Sequence, residues 1–109
     1  MMAATLGELE QVVLLALLRL GDDGFGVAVQ GEIEGRTQRR VSLGAVYTTL
    51  ARLEQKGLVA SRVGDPTPQR GGRRKKLYRV LPKGKRALVT SLETLHALTQ
   101  GLAPSLQLG

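Results

Sequence analysis

A chain of 109 residues with a net charge of +7 has room for one domain and one modest hydrophobic core. It contains no Cys, no Trp and a single His, which excludes disulfides and thiol chemistry and argues against a zinc site. The longest apolar run, Val12 to Leu18, is far shorter than the ~20 residues that span a bilayer. We therefore expect a cytoplasmic protein that has no membrane segment and needs no cofactor.

The charge is unevenly distributed along the chain. Residues 1–35 carry one Arg against six acidic residues, a net charge of −5. Residues 36–86 carry fifteen Lys and Arg against two acidic residues, a net charge of +13. Such a block favours a surface that binds a polyanion, although a basic chain can also simply be soluble.

The first predicted helix covers residues 6–20, with Thr5 as its N-cap and Glu8 at the third helical position. Its segment from Val12 to Leu18 is apolar on every side, which indicates burial on more than one side. One side is expected to face the core of its own domain, and the other a second copy of the chain.

A turn over residues 21–24 leads to the second predicted helix, residues 25–36, capped by Asp23 or Gly24. Its predicted buried stripe consists of Phe25, Val29 and Ile33. The short cationic connection that follows, residues 37–40, leads directly into a third helix. This is the layout of a helix-turn-helix unit.

The third predicted helix covers residues 43–56, with Ser42 as its N-cap and Gly57 as its stop. Its buried stripe is Val46, Leu50 and Leu53. The opposite face is predicted to present small and hydrogen-bonding side chains, namely Ala45, Tyr47, Thr48, Thr49, Arg52 and Lys56. A face without carboxylates can enter the major groove of DNA without repelling phosphate, whereas the alternative is an ordinary solvated helix.

Two strands and a further helix complete the prediction. Residues 58–63 and 76–80 have strand-like alternation, and residues 64–75 between them form a basic, turn-rich loop, so together they predict a β-hairpin wing. The last helix runs from Pro82 to about Gln100, and a frayed tail is expected over residues 103–109. Leucines along one side of that helix form a stripe that suits contact with another helix.

No catalytic constellation can be assembled from the sequence. His96 has no partner set for nucleophilic catalysis, and Gly84-Lys85 lacks the preceding glycine of a phosphate-binding loop. We therefore expect a protein that is not an enzyme and binds no metal.

The ordered motifs resemble the PadR family of bacterial winged-helix transcriptional regulators. The matching segments are Leu6-Gly7-Glu8-Leu9-Glu10, Gly24-Phe25-Gly26, Val41 to Leu50, Arg52 to Val59, Arg70-Gly71-Gly72-Arg73, Tyr78-Arg79 and Pro82-Lys83-Gly84. The resemblance implies a mainly α fold with a small β-hairpin, in which residues 1–81 form a winged helix-turn-helix and residues 82–109 a C-terminal dimerisation helix and tail. It also implies a homodimeric repressor of the short form of the family.

Site residues follow from the same resemblance. Tyr47 would contact a backbone phosphate, Thr48 and Thr49 would contact base edges, and Arg52 could do either. The full set expected at double-stranded DNA is Arg39, Arg40, Ser42, Gly44, Ala45, Tyr47, Thr48, Thr49, Arg52, Arg70, Gly72, Arg73, Arg74 and Lys76. The set expected at the homodimer interface rests instead on the surplus apolar surface of the first and last helices, and consists of Leu9, Val13, Leu17, Leu88, Leu92, Leu95, Leu98 and Leu102.

Two other functions compete with DNA binding. An RNA-associated basic protein would need exposed aromatic side chains for base stacking, and this chain offers at most Tyr47 and Tyr78. A winged helix that serves as a protein–protein adaptor would not need a +13 segment. The sequence specifies neither the operator nor the regulated genes, and a small-molecule effector, if one exists, is unknown.

Overall fold

The computed structural model describes residues 6–66 and 74–107. It contains the helices α1 (Glu8–Leu20), α2 (Gly26–Arg36), α3 (Leu43–Gln55), α4 (Pro82–Thr99) and α5 (Ala103–Leu106), and the strands β1 (Val59–Pro66) and β2 (Arg74–Val80). A single turn of 3₁₀ helix, Gly21–Asp23, lies between α1 and α2. The predicted fold class is confirmed: three helices, a hairpin wing and a C-terminal helix form a winged helix-turn-helix.

The start of α1 differs from the prediction. The helix begins at Glu8 and Gly7 is its N-cap, while Thr5 lies outside the described residues. The cap is made by Glu10, whose carboxylate accepts a hydrogen bond of 2.7 Å from the Gly7 N–H. Glu8 is therefore the first helical residue rather than the third. The third helical residue, whose side chain reaches back to the N-cap backbone in a capping box, is Glu10.

One continuous core holds the helices and the hairpin together. Its buried side chains come from α1, α2, α3, the hairpin and α4, and include Leu14, Val29, Ile33, Val46, Leu50, Leu53, Leu58, Val59, Tyr78 and Leu88. Fully burying one such Leu or Val is worth ~1.5–3 kcal/mol, so the first turns of α4 are as much part of the winged domain as α1.

The segment before α2 joins the hairpin. Phe25 forms an isolated antiparallel bridge with Leu77, and the Tyr78 N–H donates a 2.8 Å hydrogen bond to the Gly24 carbonyl. Phe25 is consequently the extended N-cap of α2, and neither Asp23 nor Gly24 caps the helix as predicted. The backbone N–H and C=O groups of this segment find their partners in β2, which periodicity alone does not reveal.

Both ends of α3 follow the prediction closely. The Ala45 N–H donates a 3.0 Å hydrogen bond to the Ser42 hydroxyl oxygen, which confirms Ser42 as N-cap. At the other end Gly57 has a φ of 75°, and the Leu58 N–H bonds to the Leu53 carbonyl at 2.9 Å. This is a Schellman termination, and it ends the helix at Gln55 rather than at Lys56.

The wing strands are longer than predicted. β1 and β2 pair antiparallel with Val59 opposite Val80 and Ser61 opposite Tyr78, and the register shifts between Val63 and Pro66. The strands extend into both ends of the predicted loop 64–75. The remaining loop, residues 67–73, lies outside the described residues.

Beyond Leu88, α4 leaves the domain. Gly84 packs against the Leu58 backbone and Leu88 is buried, but no later residue of α4 is buried in the described chain. The radius of gyration is 15.8 Å, whereas a compact chain of this length has about 13 Å. Where a frayed tail was predicted, residues 103–106 form α5.

None of the described helices is both long and apolar enough to cross a membrane.

Candidate nucleic-acid interface

The exposed face of α3 carries no carboxylate. Its exposed residues are Gly44, Tyr47, Thr48, Ala51, Arg52 and Gln55. The one acidic residue of the helix, Glu54, accepts a hydrogen bond from the Ser61 hydroxyl and lies 3.9 Å from the Lys76 ammonium. Glu54 therefore binds both wing strands, and its negative charge is partly compensated there.

Thr49 does not belong to this face, and its predicted placement there is wrong. Its side chain is 3% exposed, and its hydroxyl donates a 2.8 Å hydrogen bond to the Ala45 carbonyl. Thr48, the preceding residue, is exposed. One of the two predicted base-reading threonines is therefore a core residue.

The N-terminal end of α3 is only partly available to a ligand. The Ala45 N–H donates to the Ser42 hydroxyl oxygen, so this N–H is not left for a phosphate, whereas the Ser42 hydroxyl can still donate its own hydrogen. Gly44 is exposed, and no hydrogen bond from its N–H to the described residues is present outside the helix.

The connection between α2 and α3 is fixed by two side chains that sequence reasoning missed. The Gln30 amide donates to the Val41 carbonyl at 3.0 Å, and the Glu34 carboxylate accepts from the Val41 N–H at 2.9 Å. In the sequence both look like ordinary surface residues. Together they hold the start of the recognition helix α3 against α2.

The two arginines of that connection have different environments. Arg39 forms an ion pair with Glu8 of α1. Arg40 is exposed and has no ion-pair partner within residues 6–66 and 74–107. A DNA phosphate would have to compete with Glu8 for Arg39 but would meet Arg40 directly.

Cations line the described parts of the wing. Arg62 and Arg79 are exposed on the paired strands, and sequence reasoning did not select them. Lys75 lies over the Phe25 ring at 4.0 Å, and Lys76 lies over the Tyr78 ring at 5.5 Å. Arg74 is the first residue of β2, whereas Arg70, Gly72 and Arg73 lie outside the described residues.

A partly buried ion pair joins α1 to the residue that follows α3. Lys56 donates hydrogen bonds to both carboxylate oxygens of Glu10, at 3.0 and 2.8 Å. Burial raises the pKa of Glu10, but the hydrogen bonds from Lys56 and from the Gly7 backbone outweigh it. The pKa of this carboxyl therefore lies below its ordinary value. Lys56, predicted on the free face, thus turns toward α1.

Three of the residues expected at the dimer interface are in the core of the single chain. Val13, Leu17 and Leu88 are at most 2% exposed, so they cannot face a second copy as predicted. Leu9 is half-buried against the same core. Of the large aliphatic side chains that remain exposed, Leu15 and Leu18 lie on α1, Val27 on α2 and Val63 on β1, and the others follow from α4 onward: Val89, Leu92, Leu95, Leu98, Leu102 and Leu106.

The family of the chain follows from a comparison with protein-family models. Residues 14–90 match the transcriptional regulator PadR-like family. The chain belongs to this family. The match covers α1 from its second turn, the recognition helix, the wing and the first half of α4. Because the family consists of transcriptional regulators, the expectation that this PadR-like protein is not an enzyme is confirmed. A search of curated proteins finds no match.

Solved structures of PadR regulators share the fold. A PadR family transcription regulator from Clostridium difficile R20291 superposes with a TM-score of 0.70 at 22% identity, covering 89% of this chain and 97% of that chain. A PadR family regulator from Eggerthella lenta DSM 2243 gives 0.68 at 26% identity, with 94% and 88% covered. Bacillus subtilis PadR in complex with operator DNA gives 0.62 at 24% identity, with 77% and 47% covered.

Proposed function

We propose that this PadR-like regulator binds double-stranded DNA as a homodimer and represses transcription from an inverted-repeat operator. The observation that carries the proposal is the carboxylate-free exposed face of α3, with Tyr47, Thr48 and Arg52 side by side on one helix. Residues of these types bind phosphates and base edges in a major groove. Operator DNA in the Bacillus subtilis PadR complex supports the same partner for this chain.

The charge arrangement supports DNA over a protein partner. Of the acidic residues in the first third of the chain, Glu8, Glu10 and Glu32 are paired with cations of the same molecule. Arg40, Arg62 and Arg79 have no such pairing among the described residues, and Arg52 forms no ion pair there, although its charge is close enough to help lower the pKa of Glu10. Exposed cations without an ion pair therefore lie next to and on α3, on the wing strands and at the start of α4, where Lys83, Lys85 and Arg86 follow one another, and they would attract a polyanion.

Aromatic exposure favours duplex DNA over single-stranded RNA. Tyr78 is 6% exposed and Phe25 is half-buried beneath Lys75, which leaves Tyr47 as the one exposed aromatic side chain of the described chain. Base stacking by RNA-binding modules uses several such rings on one surface. The wing strands provide cations rather than a stacking platform.

The homodimer is supported by the apolar row that the winged domain leaves uncovered. Leu92, Leu95, Leu98 and Leu102 are between 38% and 72% exposed, and Leu15 and Leu18 of α1 are exposed as well. So many exposed leucines along one helix are uncommon on a monomer. Burial is worth ~1.5–3 kcal/mol per Leu, and each chain of a symmetric dimer contributes its own set.

In this arrangement residues 1–81 supply the DNA-binding unit and residues 82–109 the dimerisation unit, although the first turns of α4 also complete the core of the winged domain. A two-fold axis would present two α3 helices to successive major grooves. The half-sites of the operator would then lie about 34–36 Å apart, one turn of the duplex.

A binding experiment with a charge-matched control tests the proposal. Random duplex DNA is selected with the purified protein, and the recovered sequence is used in gel shifts beside an RNA of the same sequence. Arg52→Ala, on the exposed face of α3, should weaken binding about tenfold. Arg19→Ala removes the same charge from α1, and Arg36 still pairs with Glu32 in that variant, so it should bind like the parent. Equal loss in both variants, or preference for RNA, would contradict the proposal.

A further inference from the structure

Gly26 lies directly beneath the ring of Tyr47. It is the first residue of α2 and is buried. A methyl group placed on its Cα would lie 2.4 Å from the Tyr47 Cζ, 2.5 Å from Cε1 and 2.7 Å from the hydroxyl oxygen. Any other residue at this position would therefore displace the phenol ring, because real carbon contacts are never this short.

The backbone of Gly26 does not itself need a glycine. The glycines with positive φ in the described chain are Gly21, Gly57 and Gly101, so Gly26 has a conformation that alanine adopts freely. Gly31 and Gly35, in the same helix, would meet nothing within 4 Å if a methyl group were added. Contact with the Tyr47 ring is what distinguishes Gly26 from these two.

The contact fixes Tyr47 before any DNA is bound. The ring packs on the α2 backbone, yet the residue remains 44% exposed. Its hydroxyl has no hydrogen-bond partner among the residues that the structure describes. A side chain that is already held in place loses less rotamer entropy on binding than a freely rotating one.

We infer that Gly26 is a positioning residue for DNA binding, which holds the Tyr47 hydroxyl where it donates to a backbone phosphate. The inference rests on the proposed function and deepens it, since it assigns a role in DNA binding to a buried glycine of α2. Gly26 itself touches no DNA. It acts through the ring that packs on it.

The test is a double-substitution cycle on the selected operator duplex. The atoms that a methyl group at Gly26 would meet belong to the far end of an exposed side chain, so the ring can swing away and Gly26→Ala should fold. We expect Gly26→Ala to weaken binding about tenfold, the factor that corresponds to ~1.4 kcal/mol, the scale of one hydrogen bond. Tyr47→Phe, which retains the ring and removes the hydroxyl, should weaken it by a similar factor.

The coupling between the two positions is the decisive result. Gly26→Ala combined with Tyr47→Ala should bind no more weakly than Tyr47→Ala alone, because the ring that the methyl group displaces is already gone. Gly31→Ala is the matched control on the same helix and should bind like the parent. Thermal unfolding of each variant shows whether an affinity change arises from folding instead.

Each outcome has one meaning. If Gly26→Ala binds like the parent, or if its effect adds fully to that of Tyr47→Ala, the positioning role is overturned. If the parent itself binds no duplex, the proposed function fails instead. Nuclear magnetic resonance gives a readout that needs no substitution at Gly26: the ring current should shift the Gly26 α-protons upfield in the parent, and this shift should vanish in Tyr47→Ala.

Discussion

The ammonium group of Lys56 lies within hydrogen-bonding distance of both carboxylate oxygens of Glu10, at 3.0 and 2.8 Å. The Glu10 side chain is 5% exposed and that of Lys56 is 34% exposed. The pair joins the beginning of α1 to the residue that ends the recognition helix. Loss of the Glu10 charge would remove two charge-assisted hydrogen bonds, whereas loss of Lys56 would in addition leave a carboxylate in a poorly solvated place.

Replacing Glu10 by Gln should therefore destabilise the fold by about 1–3 kcal/mol at pH 7. Because the folded-state pKa of Glu10 lies below its ordinary value of 4.5, its contribution is fully present above the unfolded-state pKa. That contribution is lost as the pH falls through the folded-state pKa, so parent and variant should converge in acid. Urea unfolding at pH 7 and at pH 3 measures the difference in the free energy of unfolding between parent and variant at each pH, with Glu93→Gln as the control for net charge.

DNA affinity should fall steeply with salt, since α3 and the wing carry exposed cations that have no ion-pair partner among the described residues, namely Arg52, Arg62 and Arg79. Each neutralised phosphate contributes a slope of about −0.9 to log K against log salt. Arg62→Ala should make the slope shallower by about 0.9, the contribution of one phosphate contact. Arg19→Ala on α1 should leave the slope unchanged. Fluorescence anisotropy over a salt series provides the slopes, and a flat dependence in the parent would rule out phosphate contacts as the driving force.

The two neighbouring threonines should behave in opposite ways. Thr48→Val removes an exposed hydroxyl and should alter sequence preference, with discrimination changes of ~1–3 kcal/mol if it contacts a base edge. Thr49→Val removes a buried hydroxyl that binds the Ala45 carbonyl, so it should change stability and leave preference intact. Selection from random duplexes with each variant separates the two, and an altered preference in Thr49→Val would contradict the assignment.

Apolar residues of α4 should divide into two classes. Leu95→Asp combined with Leu98→Asp should give a folded monomer with weak operator binding, because these side chains are 54% and 72% exposed. Leu88→Asp should unfold the chain instead, because Leu88 is buried and a charge there has no partner. Analytical ultracentrifugation and circular dichroism decide the matter, with Thr94→Asp as the exposed control. A parent that is monomeric at micromolar concentration would exclude the dimer.

Two glycines provide a stability test of the core. A methyl group at Gly84 would lie 2.3 Å from the Leu58 carbonyl oxygen, a backbone atom that cannot swing aside, so Gly84→Ala should cost about 1–3 kcal/mol. Gly31→Ala meets open space within a helix and should stabilise by up to ~1 kcal/mol. Thermal unfolding compares the two variants, and a stable Gly84→Ala protein would mean that α4 packs differently.

The sequence predicted the helices, the hairpin and their order because periodicity and caps are local. The prediction for Thr49 was wrong because it relied on the polar side chain and not on the position of the residue around the helix axis. Thr49 lies three residues after Val46 and four before Leu53, within the buried stripe. The sequence misassigned Val13 and Leu17 because a helix that is apolar on every side does not show which side its own domain covers. The Phe25 bridge, the Gly26 contact and the Gln30 and Glu34 bonds depend on distant partners, which no local pattern reveals.

The hydrogen bond from Tyr78 to Gly24 has a consequence for the order of folding. The two residues lie at opposite ends of a segment that contains α2, α3 and β1, so the bond closes only after these elements have found their places. The pairing of β2 with the segment before α2 is thus expected to be completed late, after the helices have formed. Because a contact that closes last is the first to open in the reverse reaction, the Tyr78 amide hydrogen should exchange with solvent through partial opening of the wing, at a lower free energy than global unfolding.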